Sequence, residues 1–147
     1  MPTASSEIRD VTPVAFVDEL RRSNAKLRVL YLYAAYCPAC RDVLPNVRAA
    51  AKRFYGQGVE FHAGSVDRDR DAYAAYVPSL DGVLPATLVS SDGTMASELK
   101  RLGVPLAGKG FSIPLVAVFD RKDRLVAYGN STLAARLEQS LEPLIEK

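Results

Sequence analysis

Two hydrophobic periods alternate along the chain. Val14, Phe16, Val17 and Leu20 form an apolar stripe at helical spacing. Thr12 serves as its cap, Pro13 suits its first turn, and residues 21–24 end it. Residues 28–36, RVLYLYAAY, are rich in β-branched and aromatic side chains and read as apolar throughout, the pattern of a central strand buried on both faces. Residues 38–55 return to the helical period, with Val43, Leu44, Val47, Ala50, Ala51 and Phe54 on one face. Pro45 inside this helix predicts a kink, and Gly56 and Gly58 predict its end. A strand over residues 59–67 and a short helix over 70–76 follow, then a strand over 84–90 and a turn at Ser91-Asp92-Gly93. A helix over 95–102 leads into a loop over 103–110. Residues 113–120 and 124–128 read as a hairpin, and residues 132–147 as a closing helix that Pro143 bends or shortens. Strands alternating with helices predict an α/β sheet with helices on both faces, and the final hairpin makes the sheet mixed.

Composition narrows this picture. The 147 residues fit one core, with residues 1–10 as a flexible N-terminal segment and 11–147 as a single domain. Net charge is +2 and the charges are interleaved, so no nucleic-acid partner and no acidic membrane surface is indicated. No apolar run approaches the ~18 residues of a membrane span, so no membrane insertion of this chain is expected. The segment MPTASSEIRD has no basic or apolar leader region. The protein is therefore expected either in the cytoplasm or, exported, with a signal or anchor removed. A monomer is expected.

The two cysteines, Cys37 and Cys40, are the only ones in the chain and lie where the buried strand passes into a helix. Pro38 takes the first helical position at no hydrogen-bonding cost. The Cys37 sulfur therefore faces the free N–H groups of a helix N-terminus, whose partial positive charge favours thiolate. Cys37 is expected to be the exposed nucleophile and Cys40, one turn deeper, the thiol that resolves a mixed disulfide. Structural zinc wants four ligands, and two Cys with one His do not supply them, so no metal is assigned.

From these residues outward the sequence resembles the thioredoxin superfamily. The resemblance rests on YAAYCPACRDVLP, on VEFHAGSVD ending in Asp67, on FSIPLVAVFDRKDRLVAYGN with Gly129 after its last strand, and on the closing helix. It implies a thioredoxin-like fold: a central mixed β-sheet flanked by helices, with a strand-helix insert before the cis-proline strand. The segment LPATLVSSDGTMASELKRLGVPLAGKGFSIP resembles the insert of the TlpA/ResA/DsbE branch, mostly exported bacterial disulfide reductants. That branch favours the periplasm or cell envelope over the cytoplasm. The resemblance further implies a cis bond at Pro114. Ile113 before it would pair with an extended substrate segment, and Tyr36, Pro38, Ala39 and Gly129 would complete the substrate surface.

The chain departs from the superfamily pattern at two places. Tyr36 stands where many members have Trp, and it can still shield Cys37 and stack on a substrate. Tyr31 stands where thioredoxins bury an acid, and Ala63 near its lysine partner, so neither charge of that pair is left alone. Deprotonation of Cys40 then falls to water, Tyr31 or another group; Tyr31 and His62 are the candidate proton relays, with Glu60 behind them. The expected activity is thiol–disulfide oxidoreduction on protein disulfide or dithiol substrates, with a partner thiol reductase and no cofactor besides the Cys37–Cys40 disulfide. The alternative is a copper-handling metallochaperone, since two thiolates can hold Cu(I), although His62, Met1 and Met95 do not form the usual additional ligands. A peroxidase is disfavoured because Ala34 and Ala35 occupy the region where a Thr or Ser would be needed. Arg41 and Asp42 read as solvated helix residues, Tyr73 and Tyr76 as helix-face packing, and Asn130 as a helix cap.

Overall fold

The computed structural model describes residues 6–146. Chain order is β1 (Arg9–Val11), α1 (Pro13–Arg22), β2 (Leu27–Tyr33), α2 (Pro38–Phe54), β3 (Val59–Ser65), α3 (Arg70–Tyr76), β4 (Thr87–Val89), α4 (Met95–Arg101), β5 (Leu115–Asp120), β6 (Leu125–Gly129), α5 (Ser131–Ala135) and α6 (Leu137–Ile145), with a 3-10 turn at Val77–Leu80. Among the described residues the strands form one sheet in the order β1-β4-β3-β2-β5-β6. β2 pairs parallel with β3 and antiparallel with β5, and β5 pairs antiparallel with β6, so the sheet is mixed as expected.

All seven residues of β2 are buried. Val29, Tyr31 and Tyr33 pack with Val43, Leu44, Val47 and Phe54 of α2 and Leu137 and Leu141 of α6. Leu30 and Leu32 face the other way, onto Phe16, Val17 and Leu20 of α1 and Leu99 of α4. A strand covered on both sides has no polar face to show, which is why its sequence reads as continuous. Arg28 breaks that reading. Its side chain is fully buried, and its guanidinium donates to the carbonyls of Leu20 (2.8 Å), Ser23 (3.3 Å) and Asp120 and to the Asp123 carboxylate. One cation thus ties the C-terminal end of α1, where the Leu20 carbonyl also accepts from the Ser23 N–H, to the β5–β6 turn.

Several elements differ from expectation. Arg9 and Asp10 are not part of a loose segment: they form β1, which pairs parallel with β4. β4 is short and bridges β3 only at Ser65 and Leu88, so its outer edge is open to a partner. The polar side chains of β1 suit an edge, and Arg9 and Asp10 form ion pairs with Glu19 and Arg70. Residues 1–5, the rest of that expected segment, lie outside the described residues. Helix α2 runs through Pro45 and ends before Gly56 and Gly58, whose φ angles of 79° and 80° favour glycine. The closing helix is two helices, parted at Arg136 rather than at Pro143, which falls inside α6. Neither glycine nor proline marks that break, and Lys147 lies outside the described residues. Among the described residues, no helix is long and apolar enough to cross a membrane.

Candidate active site

The turn that carries the first cysteine is held from both sides. β2 ends at Tyr33, and its carbonyl still accepts from the Val66 N–H at 2.8 Å. Asp67, just beyond, is buried and turns its carboxylate back. One oxygen, Oδ2, accepts from the Ala35 N–H at 2.8 Å and from the Ser65 hydroxyl at 2.5 Å. The Ala35 carbonyl in turn accepts from Arg41 Nε at 2.7 Å. Arg41 is therefore not merely a solvated helix residue: it clamps the turn and lies over the Tyr76 ring, 5.7 Å from its centroid.

Cys37 is the N-cap of α2, and its sulfur accepts from the Cys40 N–H at 3.2 Å. Cys37 and Cys40 are joined in a disulfide with Cα atoms 5.2 Å apart. Cys37 is 7% exposed and Cys40 0%, so an incoming group meets the first sulfur and not the second. Pro38 opens the helix and Ala39 is half-buried beneath it. Tyr36 is 67% exposed and stands beside Cys37 as an open ring.

The Ile113–Pro114 peptide is cis, and the Ile113 carbonyl oxygen lies 3.8 Å from Cys37 Sγ. Asn130 holds this loop. Its side-chain amide donates to the carbonyls of Ser112 (3.0 Å) and Pro114 (2.9 Å). It makes no side-chain cap on α5, contrary to the sequence expectation. Gly129 has a packing reason to be glycine, because a Cβ there would come within 2.9 Å of Leu133 Cβ.

The two candidate relays fall in different places. Tyr31 lies on the Cys40 side of the sheet, stacked on Tyr33 with ring centroids 5.1 Å apart. Tyr33 and Tyr73 share a hydroxyl hydrogen bond of 2.6 Å, whereas the Tyr31 hydroxyl is buried with no hydrogen-bond partner among the described residues. Burial pushes the Tyr31 phenol well above its ordinary range. His62 belongs to the opposite face. Its neighbours Phe61 and Ala63 pack with the Cys40 cluster, while Gly64 meets Phe16 of α1. His62 Nε2 lies 2.6 Å from Glu60 Oε1, at ion-pair distance but without hydrogen-bond alignment. The sheet thus separates His62 and Glu60 from the disulfide. Among the described residues, no group of three or more His, Cys, Asp or Glu side chains is placed to hold a metal ion. Met95 is buried in the core of the α1 face, and Met1 lies outside the described residues.

No family model matches the chain, and no curated protein matches it. Solved structures do. A thiol:disulfide interchange protein from Bacteroides sp. superposes with a TM-score of 0.66 at 16% identity, over 87% of this chain and 78% of that one. The fold is thioredoxin-like. The exposed lipoprotein thioredoxin Etrx1 of Streptococcus pneumoniae superposes with a TM-score of 0.60 at 21% identity, over 86% and 89% of the two chains. StoA of Bacillus subtilis gives 0.57 at 11% identity, over 80% and 84%. Within this thioredoxin-like frame, sequence reasoning located the dithiol and the proline but missed what positions them. Asp67 was visible only as a strand end and Arg41 only as a charge, because neither partner, a backbone group of Ala35, has a signature in the sequence.

Proposed function

We propose that the protein is a thiol–disulfide oxidoreductase acting on protein disulfides, and that it works as a reductant of the TlpA type. The observation that carries the reading is the pair of sulfurs at the start of α2: one capping the helix and reachable, the other one turn deeper and closed to solvent. The fold's solved neighbours include proteins described as thiol:disulfide interchange proteins and an exposed lipoprotein thioredoxin, which supports both the activity and a cell-envelope setting.

In the reduced protein, the Cys37 thiolate attacks one sulfur of a substrate disulfide. A Cys37–substrate disulfide forms and the other substrate sulfur leaves as a thiolate. Cys40 loses its proton and attacks Cys37 Sγ, releasing the second substrate thiol. The substrate gains two electrons and the protein returns to the Cys37–Cys40 disulfide, to be reduced again by a partner dithiol. Helix-end N–H groups stabilise Cys37 as attacking and leaving thiolate. A neutral phenol with its pKa pushed up is a poor acceptor for the Cys40 proton, and His62 lies across the sheet, so water entering once a substrate opens the site takes that role.

Turnover of insulin or a chromogenic aryl disulfide tests the activity, and Cys37→Ser abolishes it. Direction is tested by the reduction potential. A value below about −200 mV supports a reductant, whereas one near about −120 mV identifies an oxidant.

A further inference from the structure

A cleft of about 350 Å³ opens beside the disulfide. Tyr36, the residue before Cys37, and Ile113, whose carbonyl oxygen lies 3.8 Å from Cys37 Sγ, are among its lining residues. Met95 and Phe111, from α4 and from the loop that follows it, supply apolar wall, and the rim carries Arg68 and Lys109. The cleft is therefore continuous with the surface on which a substrate's disulfide must lie. The strand-helix insert provides much of its outer part.

Its charge is one-sided. Among the described residues two cations line it and no carboxylate does. Asp92 sits between two lining residues and keeps its charge, but its carboxylate is turned onto the Thr94 N–H (3.0 Å) and hydroxyl (2.7 Å) and does not line the cleft. Asp67 is buried under Ala35, and Asp69 caps α3. Arg68 and Lys109 are both exposed, and among the described residues neither side chain has a hydrogen bond or ion pair. Other exposed cations nearby are engaged: Arg70 with Asp10, Lys100 with the Gly108 carbonyl, Arg101 with Glu98. Among the described residues the Ile113 backbone N–H is likewise unused, leaving an edge for an extended chain to pair with.

We propose that this cleft selects substrates whose disulfide lies in an extended segment bearing an acidic residue within a few positions of the attacked cysteine. The segment pairs with Ile113, an apolar side chain fills the space between Met95 and Phe111, and a carboxylate reaches Arg68 and Lys109. This rests on the oxidoreductase reading and goes beyond it by naming the substrate's chemistry. Two solvent-exposed pairs of this kind speed capture by about tenfold, since charge complementarity acts on encounter and each pair holds weakly.

The test uses the reduced full chain and three disulfide-bonded peptides that differ only in carrying Glu, Gln or Lys two residues from the cysteine, with product thiols measured by mass. The wild-type protein reduces the Glu peptide about ten times faster than the Gln peptide, as kcat/KM, and the Lys peptide more slowly still. The ratio shrinks in about 0.5 M salt, where exposed charges are screened. In the Arg68→Ala/Lys109→Ala variant the Glu-to-Gln ratio falls below about twofold, and in Arg68→Glu/Lys109→Glu the order of the Glu and Lys peptides reverses. A reversal cannot come from misfolding. Equal rates for the Glu and Gln peptides in the wild-type protein, or a preference retained in both variants, overturns the inference. Bis(2-hydroxyethyl) disulfide, which carries no charge, separates the two layers. If it is reduced and no charge preference exists, only the cleft assignment fails; if no disulfide is reduced, the oxidoreductase reading fails and this inference with it.

Discussion

Removing the Asp67 carboxylate is expected to loosen the turn before Cys37 by an amount that the structure lets one work out. Ala35 is 2% exposed, and its N–H has the Asp67 oxygen as partner at 2.8 Å. Asp67→Ala leaves that N–H buried and unpaired, at about 2 kcal/mol, and deprives the Ser65 hydroxyl of an ionised acceptor, at about 1 kcal/mol. The Ser65 oxygen keeps the bond it receives from the backbone N–H of residue 67, so that term is unchanged. The expected loss is about 3 kcal/mol. Asp67→Asn behaves differently. Both bonds go to one oxygen, and an amide oxygen can take that place, so only the charge assistance is lost, about 1 kcal/mol. Urea unfolding with the disulfide intact reads both numbers. At a slope of about 2 kcal/mol per molar, the midpoint falls by about 1.5 M for Asp67→Ala and about 0.5 M for Asp67→Asn. Disulfide turnover of Asp67→Ala falls about ten- to a hundredfold, because a sulfur displaced from Ile113 is misplaced for attack. A midpoint within 0.3 M of wild type for Asp67→Ala (about 0.6 kcal/mol), or equal losses for Ala and Asn, would refute the reasoning.

Three further outcomes are expected. Arg28→Met removes the tie between α1 and the β5–β6 turn, but the Leu20 and Asp120 carbonyls each keep a backbone N–H donor and the half-exposed Asp123 carboxylate returns to solvent, so it is expected to cost about 2 kcal/mol, near 6 °C in Tm by calorimetry. Tyr31→Phe removes a hydroxyl that has no partner, so stability is kept or rises by about 1 kcal/mol and the pH–rate profile of disulfide turnover does not move; a shifted profile would restore Tyr31 as a proton relay. His62 has its pKa lowered by burial, against the opposing pull of Glu60 and Glu19, so the unfolded chain takes up a proton near the ordinary value of 6.5 while the folded one does not. Stability therefore falls as pH drops below that value, and His62→Gln flattens the fall between about pH 7 and 5 in urea midpoints.

Much of this was open to a reader of the sequence, for physical reasons that differ from residue to residue. A strand buried on both faces must be apolar, so β2 announced itself. Cap chemistry is local, so Thr12, whose hydroxyl accepts from the Ala15 N–H, was found three residues from its partner. The dithiol was legible because a helix N-terminus, a proline and two thiols act within a single turn. Long-range polar contacts left no such trace. Arg28 sits in an apolar run and meets its acceptors 92 and 95 residues away, and Asn130 reaches back 16 and 18 residues to the proline loop. β1 has no alternating pattern of its own, and β4 supplies the reason it is a strand. The face of His62 was readable in principle, since Phe61 and Ala63 flank it and a strand alternates.

The most direct trial of the central claim is the intact mass of Cys40→Ser after brief exposure, reduced, to a disulfide-bonded peptide. A stable adduct of one peptide half, mapped to Cys37 and released by a small thiol, is expected, because the attacking sulfur is present and the resolving one is gone. An unmodified protein under conditions in which the wild type is oxidised by the same peptide would contradict it.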